Sequence, residues 1–251
     1  MDALFSEALT LLKQLISVPS FSKEEDNTAT LLTNFFETKH VKINRRGNNI
    51  WALNKYYDST KPTVLLNSHH DTVKPNSGYT RDPFQPEVSD GKLYGLGSND
   101  AGGPLVALIA TFLHYYDSEG LPYNIIFAAS AEEEISGAGG IESIWHDLPT
   151  VDFAIVGEPT LCNMAIAEKG LMVLDCVAKG KSGHAAREEG INAIYEAIED
   201  INWVRNYEFP KVSPTLGKIK LSVTIINAGK QHNVVPADCT FTIDVRVTDQ
   251  Y

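Results

Sequence analysis

His69, Asp71, Asp100, the run Glu132-Glu133-Glu134 and Glu158 are imidazole and carboxylate groups of the kind that hold a metal ion. Three carboxylates and an imidazole brought to one point would repel each other without a cation between them. Hard oxygen ligands combined with imidazole suit a divalent metal such as zinc. Most of these groups follow a short apolar run: Val64-Leu65-Leu66 before His69, Ile125-Ile126-Phe127 before the glutamates, and Phe153-Ala154-Ile155-Val156 before Glu158. Buried parallel-type strands end together on one edge of a sheet, and groups distant in sequence can meet there.

Taken singly, each motif admits a plain reading beside the chemical one. His69-His70-Asp71 contains a His-x-Asp pair, in which one ring nitrogen binds metal while the carboxylate two residues on orients the ring. An ordinary polar loop explains it equally well. Gly95-Leu96-Gly97-Ser98-Asn99-Asp100 resembles a dinucleotide loop at first, but Asp100 stands in the third glycine's place and would repel a pyrophosphate. Glycines that carry one aspartate into the start of a helix better suit a carboxylate bridging two metals, with strained backbone expected at Asp100–Ala101. A run of three glutamates is usually a solvated helix face. Here it follows the buried run Ile-Ile-Phe-Ala-Ala-Ser and precedes Gly137-Ala138-Gly139-Gly140. Adjacent residues point in different directions, so one carboxylate can hold metal while its neighbour exchanges a proton with an attacking water. Glu158, within Gly157-Glu158-Pro159-Thr160, places a carboxylate directly after the last predicted strand. His184, Asn233 and Arg246 add polar groups that could meet a substrate.

The elements that must position these groups can be read from periodicity. Leu4, Ala8, Leu11, Leu12, Leu15 and Ile16 recur at helical spacing until Pro19. A second helix is predicted over Glu24–Thr38, with strands at Val41–Arg45, Asn49–Asn54 and Val64–Asn67. Residues 74–90, rich in Pro, Gly, Asp and Ser, read as a long loop leading into Lys92–Tyr94. Gly102–Tyr116 is predicted as a buried helix with proline near its start. Strands at Asn124–Ala129 and Phe153–Gly157 complete an alternating pattern, which implies a mostly parallel α/β sheet flanked by helices. Beyond residue 161 the style changes. Ile166–Ala178, Ile219–Asn227 and Cys239–Val247 alternate apolar and polar side chains, and a helix at Ile191–Arg205 separates the first from the others. That order predicts a second, small α+β domain of ferredoxin-like type. The expected domains are therefore 1–161 and 162–251.

Bulk properties narrow the class. The 251 residues are 43% hydrophobic and 21% charged, which suits folded domains rather than disorder. The formal net charge of −11 argues against nucleic acid or acidic lipid as a partner. Cys162, Cys176 and Cys239 have no ligand spacing and cannot all pair, which favours a reducing, cytoplasmic setting. The N-terminal residues lack a charged segment followed by an apolar run, so no signal peptide is expected. No stretch approaches the roughly 20 apolar residues of a membrane span.

In order along the chain, five stretches together resemble the M20 metallopeptidases: Ser68–Val73, Gly95–Gly103, Ala131–Glu134, Val156–Thr160 and Ser182–Ala185, with Gly190–Ile194 opening the helix that follows. The family includes acetylornithine deacetylase, succinyl-diaminopimelate desuccinylase, aminoacylase-1 and carboxypeptidase G2, and the wording around Asp100 and Glu158 is most similar to the first of these. The resemblance implies two zinc ions, with cobalt an alternative. His69 and Glu158 would hold one, Asp100 would bridge, and Glu134 would hold the second. It further implies Glu133 as general base, Asp71 as the group orienting His69, and His184 as the residue that polarises the scissile carbonyl. Asn233 and Arg246 match substrate-carboxylate contacts. The second domain would serve as lid and as the surface of a homodimer.

The implied reaction is hydrolysis of an N-acyl amino acid, with N-acetylornithine or N-succinylornithine giving ornithine for arginine biosynthesis. Succinyl-diaminopimelate or a dipeptide is the alternative substrate, and a catalytically dead relative is the non-enzyme alternative. The family's second zinc takes a last histidine from a C-terminal stretch of the catalytic domain. None of His40, His70, His114, His146 and His232 has that context, so the chain is expected to be an incomplete form whose second site lacks this ligand. Catalysis is then expected of the parent chain.

Overall fold

The computed structural model describes residues 2–251. Its elements in chain order are α1 (Asp2–Ile16), α2 (Asp26–Thr38), β1 (Asn44–Arg46), β2 (Asn49–Leu53), β3 (Thr63–His69), β4 (Glu87–Ser89) and β5 (Lys92–Tyr94). There follow α3 (Gly103–Tyr115), β6 (Asn124–Ser130), α4 (Ile141–Ile144), β7 (Phe153–Val156), β8 (Gly170–Lys179) and β9 (Gly183–His184). The chain ends with α5 (Ala193–Asn206), β10 (Lys220–Ala228), β11 (Val234–Val235) and β12 (Asp238–Val247). It divides after Cys162 into two compact units.

In the first unit, five of the described strands form a mixed sheet in the order β1-β2-β6-β3-β7. β2 runs antiparallel to β1 and β6, whereas β3 runs parallel to both β6 and β7. Successive strand residues face opposite sides of a sheet, so an unbroken apolar run serves a sheet covered on both faces. Val64, Leu66, Ile125, Phe127 and Ala129 join Leu11, Leu15, Leu32, Phe36, Leu105, Ile109 and Phe112 of α1, α2 and α3 on one side. Leu65, Ile126 and Ala128 turn to the other side, where they meet Trp51, Ile144 and Leu148. The helical stripes of the three long helices therefore bury onto one face, and all seven residues of β6 are buried.

β4 lies within the predicted loop and β8 begins at Gly170 rather than Ile166; two further differences lie in the main sheet. The strand predicted at Val41–Arg45 begins only at Asn44, because Val41 is buried and its N–H donates to Phe36 O at 3.1 Å, closing α2. The apolar run of β7, predicted as buried, is exposed along its whole length, with Phe153 at 56% and Val156 at 56%. β7 is the sheet's edge strand and pairs only with β3, so its hydrogen bonds are satisfied on one side alone.

The second unit is a three-stranded antiparallel sheet, β10-β12-β8, with α5 packed on one face. Cys239, Phe241, Ile243 and Val245 alternate along β12 and are buried with Ala178, Ala193, Ala197 and Val204. Asn192 caps α5, its side chain accepting from Ile194 N. Among the described residues no helix is long and apolar enough to cross a membrane.

Candidate metal centre

Registry between parallel strands assembles the site. His69, the last residue of β3, stands opposite Ser130, the last of β6, and Asn67 stands opposite Val156, the last of β7. The chain leaving β6 carries Glu132–Glu134, and the chain leaving β7 carries Gly157-Glu158. Three acidic or imidazole groups thus emerge at one sheet edge because three strands end in step. The fourth comes from the turn before α3, where Gly97 has φ +71 and a Cβ there would lie 2.6 Å from Thr72 Cγ2. Only glycine meets both conditions, and the backbone that follows presents Asp100. The Asp100–Ala101 peptide bond is cis.

His69 is buried, with Nδ1 3.0 Å from Asp71 O and 3.3 Å from Asp71 Oδ1. A carbonyl oxygen can only accept, so Nδ1 carries a proton, and in the neutral ring the Nε2 lone pair faces the carboxylates. Nε2 lies 3.1 Å from Asp100 Oδ1, 3.8 Å from Glu133 Oε2 and 3.9 Å from Glu158 Oε1. Two sets of donor atoms lie within 4.8 Å of one another: His69 with Asp100 and Glu134, and His69 with Glu133 and Glu158. Glu133 and Glu134 therefore each offer a carboxylate oxygen within 4.8 Å of the imidazole, in different donor sets.

Asp71 supports this arrangement from below. It is fully buried, and Oδ2 accepts from Ser22 Oγ at 2.7 Å and from Glu134 N at 3.2 Å, while Oδ1 accepts from Glu133 N at 3.1 Å. Burial opposes its ionisation, but the bonds from His69, Ser22 and Glu133 outweigh it and hold the carboxyl below its usual range. The same side chain thus orients the imidazole and fixes the amides of the two glutamates.

The third glutamate does something else. Glu132 has a left-handed backbone, φ 52, and its carboxylate folds back to accept from Gly139 N at 3.3 Å. A Cβ on Gly137 would lie 2.1 Å from Glu132 Oε2 and 2.6 Å from Glu132 Cβ, so this glycine exists to let the side chain lie there. Asn49 pins the turn at both ends: Oδ1 accepts from Ala131 N at 3.0 Å, and Nδ2 donates to Gly139 O at 2.6 Å. Ser22 and Asn49 sit in no motif, and nothing local in the sequence singles them out.

Electrostatics tests whether a cation fits. Burial lowers the affinity of His69 for a proton, yet Asp71, Glu158 and Glu133 overcome this and raise its pKa to about 9. Burial, reinforced by Glu133, Asp100 and Glu134, pushes Glu158 up to about 7, and burial with Asp100 also raises Glu134. Carboxylates whose burial and crowding raise the pKa of Glu158 and Glu134, facing an imidazole nitrogen, form a donor set that a dication would relieve. The residues fit such an ion.

In the second unit, β9 pairs with β11 so that His184 faces Val234, and Ala185 N donates to Asn233 O at 3.1 Å. His184 and Asn233 are therefore neighbours. Arg246 is not with them. It lies eight residues along β12 from Asp238, roughly 26 Å at strand spacing, and its guanidinium forks onto Asp244 at 2.9 and 3.2 Å.

Comparison with known proteins agrees with this architecture. Residues 65–246 match peptidase family M20/M25/M40. The chain belongs to that family. It is 32% identical to the acetylornithine deacetylase of Proteus mirabilis over 95% of its own length and 66% of that protein. It is 27% identical to the succinyl-diaminopimelate desuccinylase of Wolbachia pipientis over 97% and 65%. The chain thus spans about two thirds of the length of the curated relatives it matches. Among solved structures it superposes on the M20 metallo-carboxypeptidase Sso-CP2 of Sulfolobus solfataricus with a TM-score of 0.71 at 20% identity, covering 98% of this chain and 72% of that one. On the YXEP protein of Bacillus subtilis, a dinuclear metal-binding peptidase, the TM-score is 0.67 at 18% identity, covering 100% and 66%.

Proposed function

We propose that this chain is the metal-binding part of a zinc-dependent hydrolase that cleaves the amide of an N-acyl amino acid. The observation that carries the reading is the convergence of His69, Asp100, Glu133, Glu134 and Glu158 above the buried Asp71. A structural role alone gives no reason to gather so many anions around one imidazole. In this reading His69 and Glu158 would hold one ion, Glu134 would hold the second and Asp100 would serve both; Zn2+ is proposed on the N/O donor set, with Co2+ able to replace it. When bound, such ions supply Lewis acidity toward water and the amide carbonyl.

The chain's own groups then divide the remaining work. Glu133 accepts a proton from the attacking water and returns it to the departing amine, so that water adds across the amide to give a carboxylate and an amine. Asp71 keeps the His69 ring aligned. His184 Nδ1 accepts from Ala186 N at 3.1 Å, which puts the ring proton of the neutral form on Nε2. That N–H is a donor suited to a developing oxyanion. Asn233 and Arg246 are assigned to the substrate carboxylate, for which Arg246 would exchange Asp244.

N-acetylornithine is the proposed substrate because the 32% relative is an acetylornithine deacetylase. N-succinyl-diaminopimelate is the second reading, favoured by the several desuccinylases among the relatives. Exposed Leu171, Val173 and Val177 on edge strand β8 support a homodimer formed through the second unit. Three free cysteines support a cytoplasmic setting.

The test is hydrolysis of each substrate by the Zn2+-loaded parent chain, read as released amine. Glu133→Gln should slow the preferred reaction on the order of 10² to 10⁴-fold. Equal rates for both proteins would remove Glu133 from the mechanism, and no hydrolysis of either substrate would remove both named reactions.

A further inference from the structure

Glu25 belongs to none of the motifs, yet it is fully buried and its contacts reach across the first unit. Its Oε1 accepts from Lys23 N at 2.7 Å and from Glu132 N at 3.2 Å, and its Oε2 accepts from Asn48 Nδ2 at 2.8 Å. Burying a carboxylate costs several kcal/mol unless hydrogen bonds replace its water. These three donors come from three separate segments: the loop before α2, the turn between β1 and β2, and the start of the acidic turn. The carboxylate ties them together.

Its bond to Glu132 N decides more than the others. Glu132 carries the left-handed backbone that diverts the chain out of β6. The next two amides, of Glu133 and Glu134, donate to Asp71 Oδ1 and Oδ2. Three successive N–H groups are therefore held by two fully buried carboxylates, Glu25 taking the first and Asp71 the second and third. Asn48, which donates to Glu25, also offers its carbonyl oxygen to His70 Nε2 at 2.8 Å, so the clamp extends to the residue beside His69.

We propose that Glu25 is a positioning residue that sets the direction of the Glu133 and Glu134 carboxylates and so the affinity of the site for a dication. The inference rests on the metal-centre reading above. Glu25→Gln keeps the shape but turns one acceptor into a donor facing a donor. Glu25→Asp keeps both acceptors and draws them back by one methylene. Phe36→Leu, in the apolar core, is the control for a loss of stability alone.

The experiment measures Zn2+ affinity by competition with a chromophoric chelator, together with metal-free thermal unfolding, in the full 251-residue chain and the three variants. The expected result is a 10- to 100-fold weaker affinity in Glu25→Gln, the usual effect of removing a support behind metal ligands. Glu25→Asp should lie between Glu25→Gln and the unsubstituted chain, and it supplies the reading if Glu25→Gln does not fold. Phe36→Leu should melt earlier with its affinity unmoved. Unchanged affinity in whichever Glu25 variants fold, or an equal loss in Phe36→Leu, would overturn the positioning role while leaving the metal centre intact. If the unsubstituted chain binds no Zn2+, the metal-centre reading falls and this inference with it.

Discussion

In the first unit the polar groups beneath the acidic rim are buried and bonded to backbone; in the second unit the corresponding candidates lie on the surface. Asp71 is 0% exposed and accepts from two main-chain amides and a serine. His184 is exposed, on a two-residue strand, and Arg246 pairs with an aspartate on its own strand. The contrast follows from the sheets. β3 and β6 are covered on both faces, so a side chain at their ends is fixed by its surroundings, whereas β9 and β11 form a two-stranded ribbon. The first unit thus fixes its polar groups by burial, and the second leaves its candidates at the surface.

Substitutions that sharpen or break this contrast can be ranked. Asp71→Ala should have the largest effect, because it strands the amides of Glu133 and Glu134 and frees the His69 ring. A loss on the order of 3 kcal/mol is expected in urea unfolding, with Zn2+ affinity reduced at least about 100-fold. Near-normal stability would show that the buried carboxylate does not organise the turn.

Next is the response to pH. The folded pKa of Glu158 is raised from 4.5 to about 7 and that of His69 from 6.5 to about 9. A raised pKa means that the folded state binds the extra proton, so each contribution is complete below the ordinary value. It is lost as pH climbs through the folded value. Metal-free stability should therefore decline across the window from about 4.5 to about 9. Zn2+ must displace the same protons, so its affinity should rise over that range by up to about tenfold per pH unit for each proton released. Urea melts in chelator, paired with Zn2+ titrations at acid, neutral and alkaline pH, would reveal the two opposite slopes or their absence.

Gly137→Ala comes third. The added methyl meets Glu132 at its own Cβ as well as at its carboxylate, so it cannot be relieved by moving the chain end alone. A cost of about 1–3 kcal/mol is expected from differential scanning calorimetry, accompanied by weaker Zn2+ binding because the whole turn shifts. His184→Ala should do least to the isolated properties, changing stability by less than about 0.5 kcal/mol and leaving Zn2+ affinity as it was. A large drop in Zn2+ affinity in that variant would erase the division of labour between the two units.

The convergence of His69, Asp100, Glu133, Glu134 and Glu158 could be read before the fold was known. Short apolar runs followed within a few residues by His, Glu or Gly-Glu mark strand ends, and strand ends in a parallel sheet share an edge whatever the details of packing. The residue types at those ends then name the chemistry, since imidazole with carboxylates suits a dication and little else. The change of strand style beyond residue 161 was also legible, because half-exposed antiparallel strands alternate where buried parallel ones do not.

The family resemblance already distinguished Glu133 from Glu134, and the folded chain adds how Glu132 differs from both. One glutamate lies back on a glycine turn, and the other two are held by Asp71, a decision made by a left-handed backbone and a carboxylate 62 residues away. The reach of Glu25 across 107 residues to Glu132 is of the same kind. A hydrogen bond between distant segments leaves no periodic trace in either of them. Local pattern therefore settles which groups arrive at the sheet edge, and long-range contact settles where each one points.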